Sequence, residues 1–422
     1  MIVLSGAALV LPDRLLSPGT LVIDDGRIVE IRAEAPTAHS ESPFAFHGHY
    51  IAPGFIDVHV HGVEGTDSQD ADGAIAAIAG RLPRFGVTAF CPTTVACAPA
   101  MLRRVLDQVR RAREAPSLRS ARVLPAHLES NFINPEYRGA QPSRCLRSPR
   151  AALGAGGPGR AGVAGGEGRT GGSAGGLEGT EDFEGAEILA EIERATPDVG
   201  IVTIAPELEG GLDMVRWLVA RGHRASLGHS GASYDEALAA IAAGARQATH
   251  LFNRMPPIHH RTPGLPGAVL QSDEVAAEII CDGVHVHPAL VRMAIAAKRP
   301  SRVMAITDAT AAAGLPPGSR ASLGGHPITA GESTAILADG TIAGSISTMD
   351  RVFQLLVARV GLSPVEAATV CATTPARELG LVGYGMLAVD AVADLVVLDA
   401  NLSVVQTYVG GQLVYTRGRE HG

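Results

Sequence analysis

A chain of 422 residues, 46% hydrophobic and 18% charged, has the composition of a globular enzyme and is long enough for a large barrel with a smaller appended unit. Its net charge of −8 argues against the basic face that nucleic-acid binding requires, yet leaves room for a small anionic substrate held by one local arginine. No uninterrupted apolar run is long enough to span a bilayer. The five cysteines (Cys91, Cys97, Cys145, Cys281 and Cys371) form no CxxC pair, which reads as buried free thiols in a reducing cytosol.

The first fifty residues alternate short Val/Ile/Leu runs with turn signals at Ser17-Pro18-Gly19 and Asp24-Asp25-Gly26, the mark of successive β-strands. The apolar start lacks a basic n-region and is read as a strand rather than a signal peptide. Apolar runs recur at 55–60, 87–90, 122–128, 200–205, 224–227, 247–251, 275–281 and 302–307, with helical patterns between them. Leu102, Val105, Leu106 and Val109 share one helical face, while Ser233 with Glu236 and Ser363 with Glu366 make capping boxes, the second run ending at Gly380. Eight strands alternating with helices predict a (β/α)8 TIM barrel over residues 53–377. Segment 378–422 returns to short apolar runs and a Gly410-Gly411 turn, so it is expected to pair with residues 1–52 in one small β domain. An insertion at about 150–182 interrupts the barrel. Thirteen of residues 151–180 are glycine, too little apolar surface to offset the ordering entropy, so a mobile segment is expected.

The chemistry-bearing residues fall at the ends of these strands. His59 and His61 close the first, Glu129 follows His127-Leu128 on the third, and Glu207 follows the fourth. His229 and His250 end the fifth and sixth, His285 and His287 follow the seventh, and Asp308 ends the eighth. In a barrel these ends converge on one face, and His, Glu and Asp there suit a divalent metal. Residues i and i+2 of a strand point the same way, so the imidazoles of His59 and His61 can reach one ion. Asp57 lies on the same face and reads either as a supporting carboxylate or as strand packing. Asp308 reads as a general acid/base, against the alternative of a helix cap. Glu207 reads as structural rather than as a ligand. Thr93 and Thr94 close the second strand and read either as pocket lining or as ordinary strand-end residues, and Arg261, in a Pro-rich loop, reads from the residue alone as a surface arginine.

The stretch Pro53-Gly54-Phe55-Ile56-Asp57-Val58-His59-Val60-His61-Gly62 resembles the opening of the amidohydrolase superfamily. Further stretches resemble the N-acetylglucosamine-6-phosphate deacetylase family: His127-Leu128-Glu129 with Asn134-Pro135-Glu136-Tyr137-Arg138-Gly139-Ala140, Leu227-Gly228-His229-Ser230, Thr249-His250-Leu251-Phe252-Asn253-Arg254-Met255-Pro256, and Asp282-Gly283-Val284-His285-Val286. Thr307-Asp308-Ala309 and Ala343-Gly344-Ser345 match as well, and the likeness covers most of the chain outside the glycine-rich insertion.

The resemblance implies a barrel flanked by a β-sandwich, a cytoplasmic homodimer without membrane or nucleic-acid partners, and removal of acetate from N-acetylglucosamine 6-phosphate in amino-sugar catabolism and cell-wall recycling. It implies Glu129, His229 and His250 as ligands of one metal, His59 and His61 as positions for a second, and Asp308 as the acid/base. His285, Asn253, Arg254 and Gln141 are implied on the substrate, with Arg261 reaching the phosphate of the neighbouring subunit. One or two divalent ions are open, zinc or iron first, cobalt or manganese as alternatives. The chain departs from the family at Ser130-Asn131, where Gly-Pro is usual, at Asp390, where Gly is usual, and at Gln141, where a His is usual; Gln donates a hydrogen bond but carries no proton. Rival readings are an N-acetylgalactosamine 6-phosphate, an N-acyl amino acid or a dihydroorotate-like cyclic amide as substrate, and a non-catalytic assembly barrel.

Overall fold

The computed structural model describes residues 1–33, 45–154 and 182–418. Of the glycine-rich stretch expected at 150–182, residues 155–181 lie outside the described residues.

Eight parallel strands follow one another around the barrel: Phe55–Val60, Val87–Thr94, Ala126–Leu128, Val199–Ile204, Arg224–Leu227, Gln247–Ala248, Ala276–Ile280 and Val303–Ile306. Each pairs in parallel with its sequence neighbour. Phe55–Val60 and Val87–Thr94 are buried at every position, as strands must be when helices cover one face and barrel side chains fill the other. The ring closes where the last strand returns to the first. His61 and Gly62 donate their backbone N–H groups to Ala309 O at 2.8 and 2.9 Å. The Asp57 carboxylate accepts from Thr307 Oγ1 at 2.6 Å and from the Thr307 N–H at 3.4 Å. Asp57 therefore joins the first and last strands at the barrel seam.

The expected strands are present, with shifted bounds. The third breaks into Arg122–Val123 and Ala126–Leu128 around Leu124-Pro125, because proline has no N–H to offer a ladder. The sixth keeps only Gln247–Ala248, since His250 turns into the left-handed region at φ 30°. Helix Pro99–Glu114 buries Leu102, Val105, Leu106 and Val109 on one face. Both capping boxes form, and the last helical run ends beyond Thr374–Glu378, with Gly380 at φ 69° as its left-handed stop.

The chain ends meet in one seven-stranded sheet, ordered Gln412–Thr416, Val404–Val409, Leu395–Leu398, Tyr50–Pro53, Ile2–Val10, Leu15–Asp24, Arg27–Ala33. Leu4, Leu21, Ile51, Leu395 and Tyr408 pack in its core. A second antiparallel sheet was not anticipated: Arg320–Leu323, His326–Ala330, Thr334–Ile336 and Ile342–Ser345 fold between the eighth barrel strand and the C-terminal helices. It is stitched to that strand's end by Ser345 N–H donating to Asp308 O at 2.9 Å and Thr310 N–H donating to Ser345 O at 3.1 Å. All five cysteines are buried free thiols. Among the described residues no helix is long and apolar enough to cross a membrane.

Candidate active site

The strand ends converge as a barrel requires. Glu129 Oε1 lies 2.8 Å from His229 Nε2 and 2.8 Å from His250 Nε2, and the two imidazole nitrogens are 3.1 Å apart. Beside them His59 Nε2 and His61 Nε2 lie 3.2 Å apart, at 3.4 and 3.3 Å from Asp308 Oδ1. Glu129 stands between the two groups, with His61 Nε2 3.6 Å from its Oε2. His229, His250 and Asp308 have φ of 47°, 30° and 52°, left-handed conformations that cost of order 1–3 kcal/mol each and that tertiary contacts impose at functional sites. Gly344 shows how closely the small sheet presses on Asp308: a Cβ there would sit 2.7 Å from Thr310 Cγ2 and 3.0 Å from Asp308 O.

Hydrogen bonding fixes the tautomers and thereby the chemistry of the donor set. His229 Nδ1 is 2.8 Å from Tyr137 O, which can only accept, so Nδ1 carries the proton and Nε2 turns its lone pair to Glu129. His59 Nδ1 faces Glu278 Oε2 at 3.0 Å, so its Nε2 likewise offers a lone pair toward His61 and Asp308. Lone pairs and carboxylate oxygens this close repel one another unless a positive charge, either a proton or a metal ion, lies between them. Three groups among the described residues have ligand atoms close enough to share an ion: Glu129 with His229 and His250, His59 with His61 and Asp308, and His59 with His127 and Glu278. The third lies inside the barrel, where Val58 O and Thr203 Oγ1 already engage both nitrogens of His127, which leaves the first two facing the strand ends. The residues fit a divalent metal.

The electrostatics agree. Burial disfavours charge on Glu129, but His229 and His250 overcome it and hold the carboxyl well below the usual range. Burial pulls His59 down, yet the carboxylates of Asp308, Glu278 and Glu129 raise it to about 10, a measure of how strongly this spot attracts positive charge. Asp308 is opposed by burial but kept below the usual carboxylate range by His59 and His61, so it stands ready as a base.

A cavity of about 510 Å3 opens over these residues, lined by Glu129, Gln141, His229, His250, Asn253, Arg254, His285 and Asp308. Val95, Leu323 and Ile342 supply apolar lining, the last two from the small sheet. His285 Nδ1 donates to Asp282 Oδ2 at 2.6 Å, and its Nε2 has no protein partner among the described residues. Burial would lower the His285 pKa, but Asp282 lifts it above the usual value, making Nε2 a donor beside the cavity. Gln141 is turned toward Glu129, to whose Oε2 its amide donates. Arg261 is exposed on its loop and is not among the lining residues of this cavity.

Several residues serve the site from behind. His127 is engaged at both nitrogens, with Val58 O at 3.1 Å and Thr203 Oγ1 at 2.9 Å, and packs inside the barrel. Glu207 accepts from Asn134 Nδ2 at 2.9 Å, Ser230 Oγ at 2.7 Å and Gly231 N–H at 2.6 Å, bracing the loop that carries His229. Asn131, at the Gly-Pro departure, donates to Cys97 O at 2.8 Å and Cys145 O at 2.7 Å and so staples its loop in place. Thr93 Oγ1 accepts from Val60 N–H at 3.0 Å, holding the strand between His59 and His61. Glu278 and Asp282 escaped the sequence reading. The signal for Glu278 was a lone carboxylate inside an apolar barrel strand, which burial forbids without partners; Asp282 stood in the His285 motif without an assigned task.

A profile of the amidohydrolase family matches residues 50–414. The N-acetylglucosamine-6-phosphate deacetylase of Danio rerio is 34% identical over 96% of this chain and 91% of its own length. The N-acetylgalactosamine-6-phosphate deacetylase of Escherichia coli O157:H7 is 32% identical over 86% and 87%. A mutant N-acetyl-D-glucosamine-6-phosphate deacetylase from Mycobacterium smegmatis, solved in complex with N-acetyl-D-glucosamine-6-phosphate, superimposes with a TM-score of 0.83 at 32% identity, covering 98% of this chain and 99% of that one. With a closed barrel, two converging donor groups and these likenesses over nearly the whole chain, the protein belongs to the amidohydrolase family, among its N-acetylglucosamine-6-phosphate deacetylases.

Proposed function

We propose that this chain removes acetate from N-acetylglucosamine 6-phosphate, by metal-assisted hydrolysis at the cavity over Glu129 and Asp308. The observation that carries the reading is Asp308, an ionised and nearly buried carboxylate 3.3 Å from His61 and next to the Glu129, His229 and His250 donor group. Glu129, His229 and His250 would hold a divalent ion, which would supply Lewis acidity toward water and the acetyl carbonyl. His59 and His61 offer a second position, and zinc or iron suits the donors best, with cobalt or manganese as alternatives. Asp308 accepts the proton of the attacking water as its oxygen bonds to the carbonyl carbon. It then delivers that proton to the amide nitrogen, so the C–N bond breaks to acetate and the free amine. His285 donates from Nε2 to the oxygen that gains charge.

Asn253 and Arg254 line the mouth, where their segment meets the phosphate, and Arg261 completes the phosphate site from a second subunit of a homodimer. Remote phosphate binding then positions the amide. The enzyme works in the cytoplasm, with residues 53–377 as catalytic barrel and residues 1–52 with 378–422 as the β domain; the shared terminal sheet supports that division. The test is deacetylation of a panel containing the glucosamine and galactosamine 6-phosphates, the unphosphorylated sugar and an N-acyl amino acid, with metal content measured on the same sample. Preference for the glucosamine 6-phosphate is expected. A preference for the galactosamine epimer would move the substrate, and activity indifferent to phosphate would overturn the reading.

A further inference from the structure

The residues around Glu129 assign a task to Gln141 different from touching substrate. Gln141 is 4% exposed and both ends of its amide are engaged. The Ala96 N–H donates to Gln141 Oε1 at 2.7 Å. A backbone N–H can only donate, so the amide oxygen must face Ala96, which fixes the otherwise ambiguous orientation of the side chain. Nε2 is thereby aimed at Glu129 Oε2, to which it donates. Ala96 follows the second barrel strand, Val87–Thr94, whose Thr94 O also accepts the Glu129 N–H at 3.1 Å. One strand end thus fixes Glu129 at its backbone directly and at its carboxylate through Gln141.

We propose that Gln141 is a positioning residue for Glu129: its amide pins Oε2 so that Oε1 is presented to His229 and His250, preorganising the seat of the metal. Glu129 lies between two donor groups, 2.8 Å from His229 through Oε1 and 3.6 Å from His61 through Oε2. A freely rotating carboxylate would divide its time between them, and the Gln141 bond removes that freedom. Because glutamine does not titrate, the restraint is indifferent to pH, and no proton passes through this position. The inference rests on the proposed metal-assisted reading for its context, but its decisive measurement needs no substrate.

The test compares wild type with Gln141→Ala and with Gln141→Glu, which keeps the volume and the acceptor for Ala96 but places a second carboxylate against Glu129. The affinity for Zn2+ is measured by competition with a chromophoric chelator, and kcat and KM are measured at saturating metal. Loss of an outer-sphere partner typically weakens metal binding about 10–100-fold, and that loss is expected for both variants. At saturating metal, KM should stay within about threefold of wild type while kcat falls. Zn2+ affinity unchanged in both variants, with KM raised, would overturn the proposal and return Gln141 to the substrate. Should Gln141→Ala fail to fold, Gln141→Glu alone decides. Weakened metal binding in a protein that deacetylates nothing would leave this inference standing and sink the proposed function instead.

Discussion

Replacing Asp308 by Asn separates the proton-transfer role from everything else the residue does. Asn matches Asp in volume, and the backbone there sits at φ 52°, in the left-handed region that Asn tolerates as well as Asp. The Asp308 carbonyl still accepts from Ser345 N–H at 2.9 Å, so the barrel end and the small sheet stay joined. Glu129, His229 and His250 are untouched, and metal at that group should be retained. What disappears is a base kept ionised by His59 and His61 at 3.4 and 3.3 Å. A positioned general base contributes about 10²–10⁴ in rate, so kcat should fall by that factor, about 3–5 kcal/mol of barrier. The assay is steady-state deacetylation, with metal content and melting temperature on the same preparations. A variant with full metal, unchanged melting and kcat within tenfold of wild type would refute the assignment of Asp308 as the base.

Arg261→Ala should raise KM for the 6-phosphate by about 10–100-fold, the worth of a charge-assisted hydrogen bond, and leave the unphosphorylated sugar nearly unaffected; equal effects on both would remove Arg261 from the phosphate site. Asp282→Asn takes away the carboxylate that lifts the His285 pKa against burial, so the imidazole loses its proton at lower pH. The alkaline limb of the kcat/KM profile should then move downward in pH, and an unshifted limb would mean that protonated His285 is not required. Phe55 is fully buried at the start of the first barrel strand and stacks on Phe353 with ring centroids 5.2 Å apart. Phe55→Ala should cost about 3–5 kcal/mol in denaturant unfolding, and a loss under 1 kcal/mol would show that the joint between sheet and barrel collapses to fill the space.

Local pattern sufficed for whatever depends on near neighbours in the chain. The two-residue period of a strand puts His59 and His61 on one side, apolar runs of strand length alternating with helical faces announce the barrel, and Ser233 and Ser363 each cap a helix three residues before a glutamate. Strand bounds were less legible where proline or a left-handed residue cuts the ladder, as at Pro125 and His250. The small sheet from Arg320 to Ser345 went unread because its short strands carry a weak alternating pattern within a region already assigned to the barrel.

Tertiary structure alone decided which of two compatible tasks a polar residue performs. Nothing near Asp57 in the chain distinguishes a metal support from a seam between first and last strands; its bond to Thr307 spans 250 residues. The family resemblance put Gln141 on the substrate, and only the arrival of Ala96 and Glu129 on either side orients its amide. Hydrogen bonds and electrostatic repulsion act over a few ångströms of space, whatever the distance along the backbone, so residue types announce the available chemistry and packing assigns it.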